Sequence, residues 1–236
     1  MARSYFIFNS IDSRDMGILL RHAIPVIRPE ERIRHLGIPG RAGDMTELEG
    51  EDIYEPYIQT VDMSVGGGQL KSTLNWLRGD GYVTFHSDAN RRQRARVIGA
   101  VTFEKISPNM DRWQAQVQFY CQPLKEAKTQ ESDITVSSSG TSITNPGDVK
   151  SKPLIQVNGS GSITLILGGQ TLILSNVVSG WKIDAETGWI LNASGTPQYG
   201  VCQGSPEGIR LAKGASQVQW TGSVSSLKIT PRWRYL

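Results

Sequence analysis

The sequence has few of the residues that form covalent cross-links or bind metals. Its 236 residues include two cysteines and three histidines. Cys121 and Cys202 are far apart and show no C-x-x-C spacing, so the pattern indicates two buried thiols rather than a disulfide framework or a zinc site. His22, His35 and His86 have no cysteine or carboxylate at metal-ligand spacing. The sequence therefore predicts no metal and no other cofactor.

A strong charge imbalance and a long apolar run are also missing. Lys and Arg number 25 against 22 Asp and Glu, a surplus too small to draw the whole molecule to nucleic acid or anionic lipid. The longest apolar stretch, residues 163–174, is interrupted by Gly168-Gly169, and the N-terminal apolar run is too short for a signal peptide. We expect a protein that is made in a cytoplasm and does not insert into a membrane.

Motifs of catalysis are absent from the sequence. No G-x-S-x-G elbow occurs, and the phosphate-loop candidate GGGQLKST, residues 66–73, has Leu70 where a Walker A loop needs glycine before Lys71. Acidic residues cluster at 47–55 but miss the calcium-loop spacing, which favours a solvated acidic loop. We therefore predict a protein that is not an enzyme.

The three glycines at 66–68 instead indicate a change from strand to helix. We expect the helix to start near Gln69 and to end where Gly79 can adopt the left-handed conformation. Its apolar face is predicted from the helical spacing of Leu70, Leu74 and Leu77. The tripeptide Arg78-Gly79-Asp80 is interpreted as the helix end and the following turn, rather than as an adhesion motif.

The rest of the chain has strand patterns. Apolar and polar residues alternate at 61–65 and 113–121. A polar connector is predicted near 124–152, followed only by strands, with Gly168-Gly169 as the turn of a tight hairpin and Pro231 on a strand at a sheet edge. The prediction is a mainly β protein: a β-sheet domain with one α-helix at 1–125, then a β-sandwich domain at 126–236.

Residues 91–96 form the most concentrated basic run. Four guanidinium groups can follow a phosphate backbone, which leaves direct nucleic-acid binding open. No aromatic residues alternate with them, so a solvated hairpin arm leading into a strand at 97–103 is favoured. The arginines are Arg91, Arg92, Arg94 and Arg96.

Tryptophans of the second half support an alternative function. Trp181, Trp189 and Trp220 can stack on sugar rings, although tryptophans of a sandwich more often lie in the core. The alternative is a carbohydrate-binding module that mediates adhesion to glycans of a host surface.

Short motifs in a fixed order run nearly from end to end of the chain. The first half has Phe8-Asn9, Asp15-Met16-Gly17, Gly40-Arg41-Ala42-Gly43-Asp44, WLRGDG at 76–81 and VQFYCQP at 117–123. The second half has Asn145-Pro146-Gly147, Lys152-Pro153, NGSG at 158–161, Ile183-Asp184 and ITPRWR at 229–234. With these motifs the sequence resembles the distal tail proteins (Dit) of siphophages, the phages with long non-contractile tails. The basic run at 91–96 and a longer acidic stretch between Gly43 and Tyr57 depart from that pattern.

The resemblance implies a structural protein of the virion. It implies a first domain like a tail-tube subunit, a second domain like a galectin sandwich, and a homo-hexameric ring at the phage tail tip, assembled in the cytoplasm of the bacterial host. The ring would join the tail tube protein to the tail-tip hub protein and to receptor-binding proteins or fibres, with DNA only as passing cargo.

Ring contacts are expected in the first domain. The candidates there are Gly40, Arg41, Gly43 and Asp44, because glycines permit a sharp turn that presents the arginine. The alternative is a surface turn whose arginine faces solvent. We expect the four arginines of residues 91–96 on the outer rim or paired with the acidic segment of a neighbouring subunit.

Overall fold

A computed structural model describes residues 4–236, which form two compact units. The first unit extends to Lys128 and includes Leu236, and the second is Thr129–Tyr235. Strands dominate both units, and the described residues contain one α-helix, α1 (Leu70–Trp76). The predicted mainly β fold is confirmed.

The first unit contains ten strands. They are β1 (Phe6–Phe8), β2 (Ile11–Asp12), β3 (Leu19–Leu20), β4 (Ile33–Gly37), β5 (Asp44–Leu48), β6 (Tyr57–Gly66), β7 (Asp80–Phe85), β8 (Arg91–Ile98), β9 (Glu104–Lys105) and β10 (Arg112–Ala127). Eight of them form one antiparallel sheet in the order β2-β1-β7-β8-β10-β6-β3, with β9 beside β10. β4 and β5 form a separate two-stranded sheet.

The core of the first unit lies on one face of this sheet. Val61, Met63 and Val65 of β6 alternate with polar residues, as the sequence pattern predicted. Phe119 of β10 packs edge-on against Phe6 and Phe8, at 5.5 and 5.4 Å between ring centroids. These strands therefore bury a continuous aromatic and aliphatic layer.

Helix α1 is placed by Trp76. The indole stacks on Phe6 at 5.4 Å and its Nε1 donates a hydrogen bond to the Phe8 carbonyl at 2.9 Å. The predicted Leu70–Leu74–Leu77 face is wrong in part: Leu77 is buried and Leu70 packs against the core, but Leu74 is 44% exposed. The helix itself buries Thr73 and Trp76. Because Leu77 already has a non-helical conformation, the helix ends before Gly79, whose φ of +75° belongs to the turn into β7.

The WLRGDG motif joins that turn to the end of β1. The Asn9 side chain accepts a hydrogen bond from the Tyr82 backbone N–H at 3.2 Å and donates one to the Asp80 carbonyl at 3.2 Å. A Cβ on Gly81 would overlap the Asn9 amide. Only glycine at this position lets the asparagine reach both backbone groups.

The second unit contains the remaining eight strands. They are β11 (Ile134–Val136), β12 (Thr141–Asn145), β13 (Leu154–Leu167), β14 (Gln170–Val177), β15 (Trp181–Asp184), β16 (Ile190–Leu191), β17 (Cys202–Gln203) and β18 (Gly214–Thr230). Long strands β13 and β18 pair with each other through bulges, and the others attach around them. All eight strands belong to one hydrogen-bonded sheet, and the β13–β18 pairing continues on both sides of the bulges.

Two predictions for this unit are wrong. Strands β11 and β12 lie inside the segment 124–152 that was predicted to be a connector, and both pair with β18. Polar alternation on short, half-exposed strands resembles a linker in sequence. Pro231 was expected on an edge strand, yet β18 is a central strand that ends at Thr230, so the proline lies just beyond the hydrogen-bonded ladder.

The predicted hairpin between β13 and β14 is confirmed. Gly168 and Gly169 have φ of +60° and +77°, the left-handed conformation that a tight two-residue turn needs. Their surroundings differ. A Cβ on Gly168 would overlap the Arg210 backbone, whereas a Cβ on Gly169 would meet nothing within 4 Å.

This difference gives a matched pair of variants. We expect Gly169→Ala to lower the free energy of unfolding by about 1 kcal/mol, the cost of the left-handed conformation alone. Gly168→Ala adds a clash with backbone and should cost about 3 kcal/mol or more. Urea unfolding of the full chain, followed by tryptophan fluorescence, measures both, and equal losses would contradict the structure.

The closing ITPRWR motif holds an ion-pair network in the second unit. Arg232 donates to both carboxylate oxygens of Asp184, at 2.7 and 3.2 Å, and lies 3.2 Å from Glu186. Burial favours the protonated form of Asp184, but the hydrogen bonds from Arg232 and from the Glu186 backbone prevail and hold the Asp184 pKa below its usual value. The paired arginine has a raised pKa from the same contact.

The lowered Asp184 pKa predicts how stability changes with pH. Because the pKa of Asp184 is lower in the folded chain than in the unfolded chain, its carboxylate stabilises the fold at pH values above the unfolded-state pKa. This contribution is lost as the pH falls through the folded-state pKa. We expect Arg232→Ala to cost about 1–3 kcal/mol at neutral pH, with the difference from wild type shrinking below about pH 4.

Lys228→Ala is the control for this variant, because its ion pair with Asp133 is more exposed and should contribute about 1 kcal/mol or less. Urea unfolding across a pH series measures both variants. An Arg232→Ala difference that stays constant into strong acid would count against the ion pair.

Candidate assembly surface

Strands β4 and β5 form an exposed arm in the first unit. The register pairs Ile33 with Leu48 and Leu36 with Met45, so each face of the arm carries one apolar pair. Every residue of β5 is exposed, and β4 is nearly so. A two-stranded hairpin is marginally stable in water by itself, so an arm of this kind gains stability by packing against another surface.

Large apolar side chains of the arm and its base face water. Exposed fractions are 39–57% for Ile33, Ile38, Met45, Leu48 and Ile53. A concentration of exposed apolar side chains on one small element can mark a protein interaction site. The arm is therefore the strongest candidate for a contact between protein chains.

The predicted Gly40–Asp44 interface candidates lie at the tip of this arm. Gly40 and Gly43 have φ of +81° and +83°, which a sharp turn requires, and Asp44 begins β5. The Arg41 backbone N–H donates to the Ile38 carbonyl at 3.1 Å. Its guanidinium is exposed and makes no hydrogen bond within residues 4–236. An exposed arginine fork at a turn can bond carbonyl or carboxylate groups of a neighbouring chain.

The base of the arm is held by the acidic segment 47–55. Arg32 donates to Glu55 at 2.8 Å and lies 3.9 Å from Glu49. Backbone hydrogen bonds join Glu55 to Glu30 and Glu49 to Arg32. The predicted solvated loop is therefore wrong in part: Glu47 is in a strand, and two other glutamates have a partner in their own chain.

The arginine run also differs from its prediction. Residues 91–96 begin strand β8, which lies between β7 and β10 in the main sheet, and no strand covers 99–103. The expected solvated arm is wrong because Gln93 and Ala95 alternate with the arginines and are buried. The sequence contains this alternation, but the four arginines led to the interpretation of a solvated arm.

Arg91, Arg92 and Arg96 lie beside carboxylates of the same chain. Arg92 lies 3.0 Å from Glu126 and 4.3 Å above the Tyr82 ring. Arg96 lies 3.1 Å from Asp80. Arg91 contacts Asp88, and Arg94 contacts the Tyr82 hydroxyl. Much of the charge that a nucleic-acid site would use is therefore compensated locally, and Asp80 of the RGD sequence is engaged in the same pairing.

Beside the arginines the same sheet has a neutral polar surface. Strands β6 and β10 point Thr60, Asp62, Gln114, Gln116 and Gln118 away from the core. Gln116 donates to Asp62 at 3.0 Å, and Arg21 donates to Gln114 at 2.7 Å. This polar face of β6 and β10 is water-accessible and carries little net charge.

The remaining sequence candidates form no reactive site. Within residues 4–236 no group of three or more His, Cys, Asp or Glu is placed to hold a metal ion. Burial raises the pKa of the Cys121 thiol to about 12. Cys202 is partly exposed, so its predicted burial is wrong. The Gly67 backbone approaches the Asp111 carboxylate, which disfavours a phosphate at the start of the seven-residue helix α1. No helix of the described chain is long and apolar enough to cross a membrane.

The three tryptophans proposed for sugar stacking have different environments. Trp181 and Trp220 are 5% and 9% exposed and belong to the core of the second unit. Trp189 is 54% exposed. The sequence could not separate them, because all three lie on or beside strands.

The two sheets and the arm define a mainly β protein. Its first unit contains a β-sheet and one α-helix, and its second unit is all-β. Over 100% of both chains it is similar to the crystal structure of the SPP1 Dit (gp 19.1) protein, a paradigm of hub adsorption apparatus in Gram-positive infecting phages. The TM-score is 0.78 and the sequence identity 16%. No protein-family model matches the sequence, and no curated protein is significantly similar to it. The likeness shows that the chain has the fold of this distal tail protein.

Burial of the tryptophans predicts contrasting effects of truncation. Trp181→Ala should lower the free energy of unfolding by about 3–5 kcal/mol, because it empties a core position. Trp189→Ala should change it by about 0.5 kcal/mol or less, as expected at the surface. Thermal or urea unfolding of both variants tests this, and a large loss in Trp189→Ala would show that the side chain is packed.

Proposed function

We propose that this protein is a distal tail hub of a siphophage, a structural and non-enzymatic component of the virion tail. The observation that carries the proposal is the full-length fold likeness to the SPP1 Dit protein, a hub adsorption protein. The ordered motifs agree with it. Asn9 and Arg232 make hydrogen bonds that maintain the fold, and Gly81 leaves room for the Asn9 amide.

The hub is proposed to be a ring of six subunits. A closed ring uses head-to-tail contacts, so each subunit needs two different complementary patches. The β4–β5 arm supplies one of them, since its apolar pairs and Arg41 are exposed for a second copy to cover. A permanent contact of this kind should bury on the order of 2,000 Å² in total.

The ring is proposed to leave a channel for DNA. A channel that lets DNA pass should not bind phosphates tightly, because each neutralised phosphate adds salt-dependent affinity. The polar face of β6 and β10 meets this requirement better than the arginine-bearing strand β8. Its glutamines offer water-like hydrogen bonding with little charge.

The partners follow from this position at the tip of the tail. The hub would contact the tail tube protein on one side of the ring and the tail-tip hub protein on the other. Receptor-binding proteins or fibres would attach around it. Assembly would take place in the cytoplasm of the bacterial host.

Removing the apolar pair of the arm tests the ring contact. We expect the double variant Ile33→Ser, Leu48→Ser to keep its fold, because both side chains are exposed in the single chain. Losing two apolar anchors should weaken each subunit contact by about 3 kcal/mol, or about 100-fold. Analytical ultracentrifugation and negative-stain imaging measure the ring population.

The matched control is Ile166→Ser with Ile173→Ser, two comparably exposed isoleucines of the second unit. This control should form rings as wild type does. Equal ring formation by both double variants would show that the arm is not part of the subunit contact. A wild-type chain that stays monomeric at high concentration, even with a tail tube protein, would overturn the proposed function.

A further inference from the structure

A pocket of about 430 Å³ lies within the second unit, after the end of β14. It is formed by the turn at 178–180 and the loop at 192–198, and its volume is in the range of small-ligand sites. Its lining residues are Asn176, Val178, Ser179, Trp181, Asn192, Ala193, Ser194, Gln198 and Val201. Not one of these residues is charged.

The polar groups of this pocket are amides and hydroxyls with spare hydrogen-bonding capacity. Asn176, Ser179 and Ser194 make no side-chain hydrogen bond within the described chain. Asn192 accepts from the Thr196 backbone through Oδ1, which leaves its Nδ2 donor. Gln198 donates from Nε2 to backbone carbonyls, which leaves Oε1 as an acceptor. The lining therefore offers both donors and acceptors.

Apolar surface lies beside these groups. Val178 is 64% exposed, and Trp181 contributes to the wall although most of its ring is buried. Val201 is another apolar residue of the wall. Neutral polar groups next to apolar surface fit a ligand that has both a C–H face and hydroxyl groups.

The loops around the pocket are held in place. The Gly180 N–H donates to the Val157 carbonyl at 2.8 Å, which ties the first turn to β13. The second loop is closed by hydrogen bonds between Asn192 and Thr196, and the Gln198 N–H donates to Ile190 at 2.8 Å. A pre-formed site loses less conformational entropy when a ligand binds.

We propose that this pocket binds a neutral sugar residue, such as a hexose or N-acetylhexosamine of a surface polysaccharide. A sugar hydroxyl both donates and accepts, so a few hydroxyls can satisfy the unpaired amides and serines. Covering the same groups with an apolar protein side chain would leave them buried without partners, which costs free energy. The uncharged lining favours neutral sugars over anionic ones.

This site differs from the one suggested by the tryptophans in the sequence. Trp189, the exposed tryptophan, does not line the pocket, and neither does Trp220. The inference is independent of ring formation, because all lining residues belong to one unit of one chain. A chain that binds sugar but forms no ring would leave it standing, although a ring would multiply weak binding through avidity.

The test uses the full-length chain and methyl glycosides of glucose, galactose, N-acetylglucosamine and N-acetylgalactosamine at up to tens of millimolar. Saturation-transfer NMR detects binding, and tryptophan fluorescence reports on Trp181 at the wall. Asn176→Gly removes an amide while fitting the native φ of +57°, and Ser179→Trp fills the pocket. We expect wild type to bind at least one glycoside, and each variant to bind it about tenfold or more weakly.

Trp189→Ala is the control and should bind as wild type does. Unfolding curves check that each variant is folded. If Ser179→Trp does not fold, Asn176→Gly alone is sufficient to test the pocket. Four results would overturn the proposal: no binding of any neutral glycoside by wild type, unchanged binding in folded pocket variants, binding lost only in Trp189→Ala, or a peptide ligand for the pocket in place of a sugar.

Discussion

Each unit of this protein depends on one long antiparallel strand that fixes the register of its neighbours. In the first unit β10 pairs with β6, β8 and β9, and in the second β18 pairs with β11, β12 and β13. A slip of one residue along such a strand would turn every buried side chain toward water. Phe119 and Leu227 are fully buried in this register, so the cores and the exposed surfaces are set together.

The surfaces that this register exposes fall into three kinds. The β4–β5 arm carries apolar side chains, the outer face of β6 and β10 carries neutral polar ones, and β8 carries arginines beside acidic and aromatic partners. The three kinds of surface therefore differ in what they can contact. Apolar area calls for a neighbouring chain, while paired charges limit unwanted association with nucleic acid.

Sequence patterns predicted elements well where a local rule decides the structure. The Gly168-Gly169 hairpin follows from turn geometry, and the alternation at 61–65 follows from one buried face. Predictions failed where a neighbour in space decided. Leu74 is exposed because Trp76 takes the contact with Phe6 and Phe8, and β18 is central because β11 and β12 pair along its outer edge. The pocket at Asn176 and Asn192 had no signal in the sequence, since its lining comes from two separated loops.

The sequence by itself determined the mainly β class, the single helix near Gln69, the tight turns at glycine and the lack of a local catalytic motif. These depend on backbone conformation and side-chain alternation over a few residues, which the chain carries locally. Tertiary structure alone decided that the strand of the arginine run lies between β7 and β10, that Trp189 rather than Trp181 is exposed, and that residues 33–48 form an exposed arm. Burial and strand order depend on contacts between residues far apart in the chain, and no local pattern encodes them.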